Sequence, residues 1–297
     1  MAWTSFHCEN PDFTVRSVAD GTTFEVQRAA MQRSDVFRDM FSCCEANATN
    51  AATPAATDDT LDLHESSPIL TVLLRLLHDP PAPPVRILDD ESELRKIVLQ
   101  LPKIRYDPMT VIPLPLLVSL LFELVDKYAL SESVTETLRE QLLANVPTHP
   151  LQVYGFATLH GMDRIASEAT QYLRPMASYR LSDIKLIPTV EAYHKVVRLQ
   201  DLRVKTLREL VLSEDIFPHG YGECSSHRDT AISYWNRQRK ALAGRIETGT
   251  DVAGEMGALT NTFTCKACHK ACNAAVDMLA YKCRKVPRMI HQLPAEN

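Results

Sequence analysis

The fold is decided by residues 13–41, which read FTVRSVADGTTFEVQRAAMQRSDVFRDMF. An extended segment comes first, and the Asp20-Gly21 pair after it predicts a tight hairpin turn, because glycine tolerates a positive φ. Residues 22–28 read as the return strand of that hairpin. From Met31 onwards the apolar residues repeat at helical spacing, which predicts a helix that ends near residues 43–44.

Further elements are expected to follow the hairpin and the helix. The small, polar residues 45–59 predict a loop, since they offer little apolar surface to bury. Residues 60–65 alternate around two leucines, which is typical of a short third strand. Ser66-Ser67-Pro68 then predicts the start of a helix, with a cap residue and a proline in its first turn. Residues 69–77 supply the apolar body of that helix.

The proline-rich segment at residues 79–113 reads as an insertion, and its short apolar stretch at 88–101 predicts a helix of its own. Helical periodicity returns as one continuous apolar stripe through residues 114–128. Ser133-Val134-Thr135-Glu136 has the pattern of a capping box and predicts a further helix that runs through Val146.

The rest of the chain is predicted to be helical, and it is separated from the preceding helix by Pro147 and Pro150. Gly161 is expected to end the first of these helices. The third contains a valine at every seventh position. We favour a buried helix face for these valines, and a coiled-coil partner helix is the alternative. The helices are expected at residues 151–160, 163–174, 189–213, 229–243 and 264–283, and the valines are Val190, Val197, Val204 and Val211.

Three segments, taken in order, resemble the BTB/POZ family as it occurs in fungal-type BTB proteins. They are the hairpin at residues 13–26, the helix RSDVFRDMF at 33–41 and the helix LVDKY at 124–128. The resemblance covers residues 11–146. The positions that match the family motifs are Asp20, Gly21, Phe24, Ser34, Phe37, Met40, Phe41, Asp126, Lys127 and Tyr128.

Two features depart from the family pattern. Gln27 stands where the family commonly has a histidine after the second strand, and the insertion at 79–113 is much longer than usual. Beyond residue 150, the segment YGFATLHG at 154–161 and the helices after it resemble the helical extension of fungal-type BTB proteins.

The resemblance implies an α+β fold, with a BTB/POZ-like N-terminal domain at 11–146. A helical extension at 150–213 and a mainly α-helical, Cys/His-containing C-terminal region at 214–297 are expected to follow. The family works by protein–protein interaction, often through self-association, so a homodimer is expected. Part of the family serves as substrate adaptors for cullin-type ubiquitin ligases, which makes a cullin-type scaffold a candidate partner. Trp3 and Phe6, apolar residues near the N-terminus, would gain from burial against a second chain.

Composition argues against several other classes of protein. The chain has 297 residues, 45% of them hydrophobic, which is enough for two structural units. Its net charge of −5 differs from the positive charge that is typical of nucleic-acid-binding proteins. No apolar run predicts a membrane span, and no secretion signal is recognisable. We therefore expect an intracellular protein, in the cytoplasm or the nucleus, whose eight cysteines are reduced thiols or metal ligands.

The strongest chemical motif is Cys224-x2-His227 combined with Cys265-x2-Cys268. Ligands in pairs two residues apart let one turn present two donors to a tetrahedral zinc ion. His269 and Cys272 are alternative ligands, since Cys272 would follow one helical turn after Cys268. Three thiolates and one imidazole would form a closed structural site. The other interpretation, which we favour on the sequence alone, is ordinary reduced thiols on a helical subdomain.

No catalytic residues and no organic cofactor are predicted. The glycines form no phosphate-binding loop and no nucleophile elbow. Thiol catalysis would need a cysteine, a histidine base and an orienting group, and no local signature supports that arrangement. The basic residues Arg237, Arg239 and Lys240 are best explained as a solvated helix face. A zinc-stabilised, nucleic-acid-associated regulator stays open as a second functional class.

Overall fold

The computed structural model describes residues 3–48, 60–87, 105–218 and 224–295, with side chains omitted for residues 44–48. The chain is a mixed α+β protein that is mostly helical and contains a small sheet. It divides into two compact units. The first combines residues 1–85 with 106–145, and the second combines 86–105 with 146–297.

The first unit is built on a three-stranded sheet in the order β2-β1-β3. Strands β1 (Phe13–Ser17) and β2 (Thr23–Val26) are antiparallel, and β3 (Thr60–Leu63) runs parallel to β1. The predicted hairpin and the predicted third strand are therefore confirmed. Gly21 has a φ of +73°, which explains why glycine occupies the turn. Val15 and Val26 are fully buried on one face of the sheet.

Helices cover the buried side chains of this sheet. They are α1 (Arg28–Met31), α2 (Asp35–Ala48), α3 (Ser67–His78), α4 (Leu114–Leu116), a π-helical turn (Leu117–Leu121), α5 (Phe122–Tyr128) and α6 (Glu132–Ala144). Helix α3 starts at the predicted Ser-Pro signal, and seven of its residues are buried. Two-residue strands β4 (Arg86–Ile87) and β5 (Arg105–Tyr106) form a second sheet within the predicted insertion.

Several sequence predictions for this unit are wrong or lie outside the described residues. The single helix expected from Met31 is two helices, because Ser34 leaves the helical path to bridge Leu130, and the second helix extends to Ala48. The rest of the predicted 45–59 loop and the predicted helix at 88–101 fall outside the described residues.

The predicted capping box is also wrong, since helix α6 takes Ser131 as its N-cap and ends at Ala144 instead of Val146. Ser133 therefore lies inside the helix, where its side chain cannot cap the terminus. The apolar stripe at 114–128 is helical as predicted, but the π-helical turn at Leu117–Leu121 was not foreseen. A π turn adds a residue to the hydrogen-bonded ring and shifts which side chains share a face.

The second unit is helical in its described part outside the insertion. Its helices are α7 (Pro150–Leu159), α8 (Asp163–Thr170), α9 (Leu181–Ile184), α10 (Val190–Ser213), α11 (Arg228–Ala243), α12 (Val252–Gly257) and α13 (Lys266–Arg284), with 3-10 turns at Met176–Ser178, Ala258–Thr262 and Ile290–Gln292. Gly161, with a φ of +66°, follows α7 as predicted. The five predicted helices are present, but α8 ends at Thr170 instead of 174.

The interpretation of the valine repeat in α10 is wrong in detail. Val190 is 85% exposed and Val197 is also exposed, whereas Val211 is buried. The buried face of this helix is made by other residues, because a strict seven-residue repeat drifts around a straight helix of 3.6 residues per turn. The face consists of Ala192, Val196, Leu199, Arg203, Leu207 and Val211.

No helix in the described part of the chain combines the length and the apolar character needed to cross a membrane.

Candidate metal centre

The two Cys/His pairs lie at the starts of two helices. His227 is the N-cap of α11, and Cys224 precedes it in a turn closed by a hydrogen bond from His227 N to Cys224 O at 3.2 Å. Cys265 is the N-cap of α13, and Cys268 lies in the first turn of that helix. Each x2 spacing therefore places two donors on one turn, as metal-binding pairs require.

A shared core holds these two helix starts close together. Trp235 and Leu242 of α11 and the buried small residues of α13 belong to one hydrophobic cluster. Phe217 stacks on Trp235 with ring centroids 5.2 Å apart, just before the Cys224 turn. The cluster thus joins segments that are 41 residues apart in sequence, the separation between Cys224 and Cys265.

The four donor atoms converge on one place. The Sγ atom of Cys224 lies 3.7 Å from that of Cys265 and 3.4 Å from Nδ1 of His227. One donor atom each from Cys224, His227, Cys265 and Cys268 all lie within 4.8 Å of one another. This Cys3His group could hold a metal ion.

The surroundings favour thiolates at two of the three cysteines. Backbone N–H groups at the start of α13, foremost that of Cys268, together with His227 lower the pKa of Cys265 to about 6. His227 also lowers the pKa of Cys224, and Cys224 in turn raises the pKa of His227. Unpaired N–H groups at a helix start stabilise negative charge, and a thiolate is the form that binds metals.

Cys268 responds in the opposite direction. Burial, followed by the neighbouring sulfurs of Cys224 and Cys265, raises the pKa of Cys268 to about 12. Like charges at this distance oppose a third thiolate. A divalent cation among the donors would reverse that effect, because a coordinating thiol is deprotonated.

The two alternative ligands lie apart from this group. His269 is exposed, and its Nδ1 atom is 3.2 Å from Nδ2 of Asn273. Cys272 is fully buried in the hydrophobic cluster, and burial raises its pKa to about 11. Cys272 is not among the grouped donors because its side chain lies on the core side of α13, whereas Cys265 and Cys268 face the Cys224 turn.

One small cavity in the described part of the chain adjoins this group and bears on the thiol-catalysis alternative. The cavity beside Cys224 and Cys268 measures about 10 Å³, roughly the space for one water molecule. Small-molecule sites typically measure hundreds of Å³. This cavity is too small to hold a substrate molecule, whereas the four donor atoms are spaced to hold an ion.

In the first unit, the second and third family-motif segments contact each other. Ser34 is fully buried and pairs with Leu130 as an isolated bridge. Its Oγ atom donates to the carbonyl oxygen of Tyr128 at 2.5 Å and accepts from the N–H of Phe37 at 3.3 Å. Phe37 stacks against the Tyr128 ring at 5.3 Å. These motif positions are structural side chains that join α2 to α5.

The turn residues of the first motif contact the start of α3. Asp20 accepts hydrogen bonds from the N–H groups of Thr22 at 3.1 Å and Ser67 at 2.8 Å, which lowers its pKa. Ser67 is the first residue of α3, so Asp20 satisfies a free donor of that helix. Phe41 is buried, Phe24 and Met40 are half-buried, and Asp126 and Lys127 are exposed.

Two residues that the sequence analysis did not single out, Glu65 and His78, contact positions discussed there. Glu65 forms an ion pair with Lys127 and accepts a hydrogen bond from Tyr128 Oη at 3.0 Å. His78 accepts a hydrogen bond from the N–H of Gln27 at 3.0 Å, next to the position where the family commonly has a histidine. Glu65 and His78 are distant in sequence from the residues that they contact, so local sequence patterns do not predict these contacts.

The two aromatic residues near the N-terminus, which were expected to be buried against a second chain, pack against their own chain. Trp3 is half-buried and lies under the guanidinium of Arg75 at 5.9 Å, and Phe6 packs edge-on against His78 at 5.0 Å. Both aromatic residues are therefore partly buried against their own chain. In the basic cluster, Arg237 and Lys240 are exposed, as a solvated helix face requires, and Arg239 is half-buried and donates to the carbonyl oxygen of Glu214 at 3.1 Å.

Comparison of the chain with known protein families, with curated proteins and with solved structures finds no match.

Proposed function

We propose that this chain is a non-enzymatic protein-interaction protein, in which a BTB/POZ-like first unit self-associates or docks partners and a zinc ion stabilises the second unit. The proposal on interaction rests on the resemblance of the first unit and on the contact between its motif segments through Ser34 and Tyr128.

Two exposed valines of the first unit are candidates for contact with a second chain. Val36 in the first turn of α2 is 44% exposed, and Val18 beyond β1 is 50% exposed. Burial of such side chains between chains is the driving force of most protein association. In the second unit, Val190 is exposed in the first turn of α10.

These two valines make a matched test of self-association. We expect light scattering to show a dimer of the full chain at micromolar concentration. Val36→Asp should shift the chain towards monomer, and Val190→Asp should leave the dimer intact. Both changes place aspartate in the first turn of a helix, where negative charge is tolerated. Because Val36 is the less exposed of the two valines, thermal melting is used to establish that each variant is folded. A monomeric wild-type chain, or dissociation by Val190→Asp alone, would contradict self-association through the first unit.

A cullin-type scaffold is the partner that the resemblance implies for the adaptor form of this function. Co-purification of the full chain with a cullin, abolished by Val36→Asp, would support that form.

The zinc part of the proposal rests on the spacing of the donor atoms. In a tetrahedron with zinc–sulfur bonds of about 2.3 Å and zinc–nitrogen bonds of about 2.0–2.1 Å, neighbouring donors lie about 3.5–3.8 Å apart. The separations of 3.7 Å between the sulfurs of Cys224 and Cys265 and 3.4 Å between Cys224 and His227 are close to that geometry. Four protein donors leave no open position, which is typical of a structural site.

Metal analysis tests this assignment directly. The purified chain is expected to contain one zinc per molecule, and cobalt in its place should show the visible spectrum of tetrahedral thiolate coordination. Cys265→Ser should remove the metal, whereas Cys43→Ser, which changes an exposed cysteine of the first unit, should retain it. A metal content independent of Cys265 would overturn the assignment.

A further inference from the structure

The second unit contains a cavity of about 320 Å³ that is separate from the metal centre. It lies among α8, α10, α12, α13 and the segment after α13. Its walls include the buried residues Leu173, Leu199 and Leu207. The size is within the range of small-molecule sites, and such sites combine apolar walls with a few polar groups.

The polar part of this cavity is cationic. Three arginines line it, Arg203, Arg284 and Arg288, and Asp251 is the one carboxylate among the described lining residues. The carboxylate of Asp251 already accepts a hydrogen bond from the N–H of Gly254 at 3.0 Å, as the N-cap of α12. Neither Arg203 nor Arg288 forms an ion pair within the described part of the chain.

Arg203 is held in place deep in the unit. It is 6% exposed, and it donates to the carbonyl oxygens of Thr248 at 2.8 Å, Pro287 at 3.2 Å and Val286 at 3.4 Å. These bonds use Nε and Nη1. Burial, and then the charge of nearby Arg288, lowers the pKa of Arg203 to about 10. A cation fixed in this way is costly unless an anion accompanies it.

Two donors at the same cavity are buried without a partner. The Nε atom of Arg288 and the Oγ1 atom of Thr248 have no hydrogen-bond partner among the described residues, and both residues line the cavity. Burial also lowers the pKa of Arg288. An unsatisfied buried donor costs free energy, and a ligand towards which either side chain turned would relieve that cost.

We propose that this cavity binds the phosphate group of a small organic molecule. Two guanidinium charges match a phosphate dianion, and arginine donors fit phosphate oxygens in paired hydrogen bonds. Arg203 offers its Nη2 atom, since its Nε and Nη1 atoms already donate to carbonyl oxygens, and Arg288 offers its guanidinium. Thr248 donates a further bond, and the leucine wall formed by Leu173, Leu199 and Leu207 contacts an apolar body. The cavity is larger than a free phosphate ion needs, which leaves room for that body.

Calorimetry on the full chain with three probes tests the proposal: inorganic phosphate, phenyl phosphate and succinate. Phenyl phosphate should bind at one site and more tightly than inorganic phosphate, because its ring meets the leucine wall. Succinate, a dianion without a phosphate, should bind more weakly than either. Arg288→Gln should weaken phenyl phosphate binding by about tenfold or more, as loss of charged hydrogen bonds does. Thr248→Val, a change of similar shape, should weaken it several-fold.

Arg237→Gln is the matched control, since Arg237 is an exposed arginine of α11 outside the cavity, and it should leave binding unchanged. Circular dichroism and thermal melting establish that each variant is folded. Absence of saturable binding at millimolar concentrations would overturn the site. It would also be overturned if Arg288→Gln and Thr248→Val both bound phenyl phosphate as tightly as the wild-type chain does. Tighter binding of inorganic phosphate than of phenyl phosphate would overturn the organic ligand, and tighter binding of succinate would overturn the phosphate.

Discussion

Glu65 connects two of the segments that resemble the BTB/POZ family. It follows β3, pairs with Lys127 and accepts the hydroxyl of Tyr128, while its own carbonyl oxygen accepts from Ser17 Oγ at 2.8 Å. Lys127 lowers the pKa of the Glu65 carboxyl more than any other neighbour, and the hydrogen bond from Tyr128 acts in the same direction. The ionised carboxylate is therefore the form that the folded chain prefers.

This preference predicts a pH dependence at Glu65. Because the pKa is lower in the folded chain than its ordinary value of 4.5, the contribution of Glu65 is complete above that value. It is lost as the pH falls through the folded-state pKa. Glu65→Gln should lower the free energy of unfolding by about 1 kcal/mol at pH 7 and by much less near pH 3. Denaturant melts at both pH values measure this difference.

Glu140→Gln, at an exposed carboxylate of α6, serves as the control for this measurement and should change stability little at either pH. A destabilisation by Glu65→Gln that is equal at both pH values would show that the carboxylate charge is not involved.

The metal ligands show how far sequence reasoning reaches for single residues. The x2 spacing is visible in the sequence, so the pairs Cys224/His227 and Cys265/Cys268 can be picked out as candidates. Whether they meet depends on how α11 and α13 pack over a long separation, which local spacing does not determine. Cys272 has an equally suitable spacing, yet the helix turns it into the core.

Helix α7 shows how a single glycine controls contact between elements. Gly155 is buried, and a Cβ atom at this position would lie 2.2 Å from the carbonyl oxygen of Leu186. The segment after α9 thus packs directly on the backbone of α7. A side chain of any size would force these backbones apart.

Gly155→Ala is therefore expected to destabilise the second unit by about 2–3 kcal/mol, even though alanine favours helices more than glycine does. Gly244→Ala is the control, because its Cβ would meet nothing closer than 3.8 Å and its φ of −68° suits any residue. That change should be neutral or slightly stabilising. Thermal melts of both variants decide the matter, and equal stability of the two would contradict the close packing.

Secondary structure was predictable wherever local chemistry determines it. The Asp20-Gly21 turn, the Ser-Pro start of α3 and Gly161 each act through backbone conformation, and all three are observed. Errors occur where tertiary contacts decide the outcome. Ser34 leaves the helix to bridge Leu130, and α10 buries Arg203 on its inner face while Val190 stays exposed. The local sequence pattern does not determine these tertiary contacts.

At the scale of the whole molecule, the chain has one tryptophan in each unit. Trp3 belongs to the first unit and is half-buried against Arg75, whereas Trp235 belongs to the second and is 4% exposed beside Phe217. Tryptophan emission shifts to longer wavelength when the indole meets water. Trp3→Phe and Trp235→Phe therefore give two variants in which fluorescence reports one unit at a time.

Metal removal should act on one of these two signals. All four donors belong to the second unit, and they connect the starts of α11 and α13, whose core contains Trp235. An ion bound with free metal at about a thousand times its dissociation constant stabilises a fold by about 4 kcal/mol, or about 10 °C in melting temperature for a unit of this size. A chelator should therefore lower the Trp235 transition by about that amount and leave the Trp3 transition in place. Added zinc should restore it, and Cys265→Ser should behave as the chelated chain does without responding to zinc. If both transitions fell together, metal binding would have to support the first unit as well, and if neither moved, the Cys3His group would not stabilise the fold.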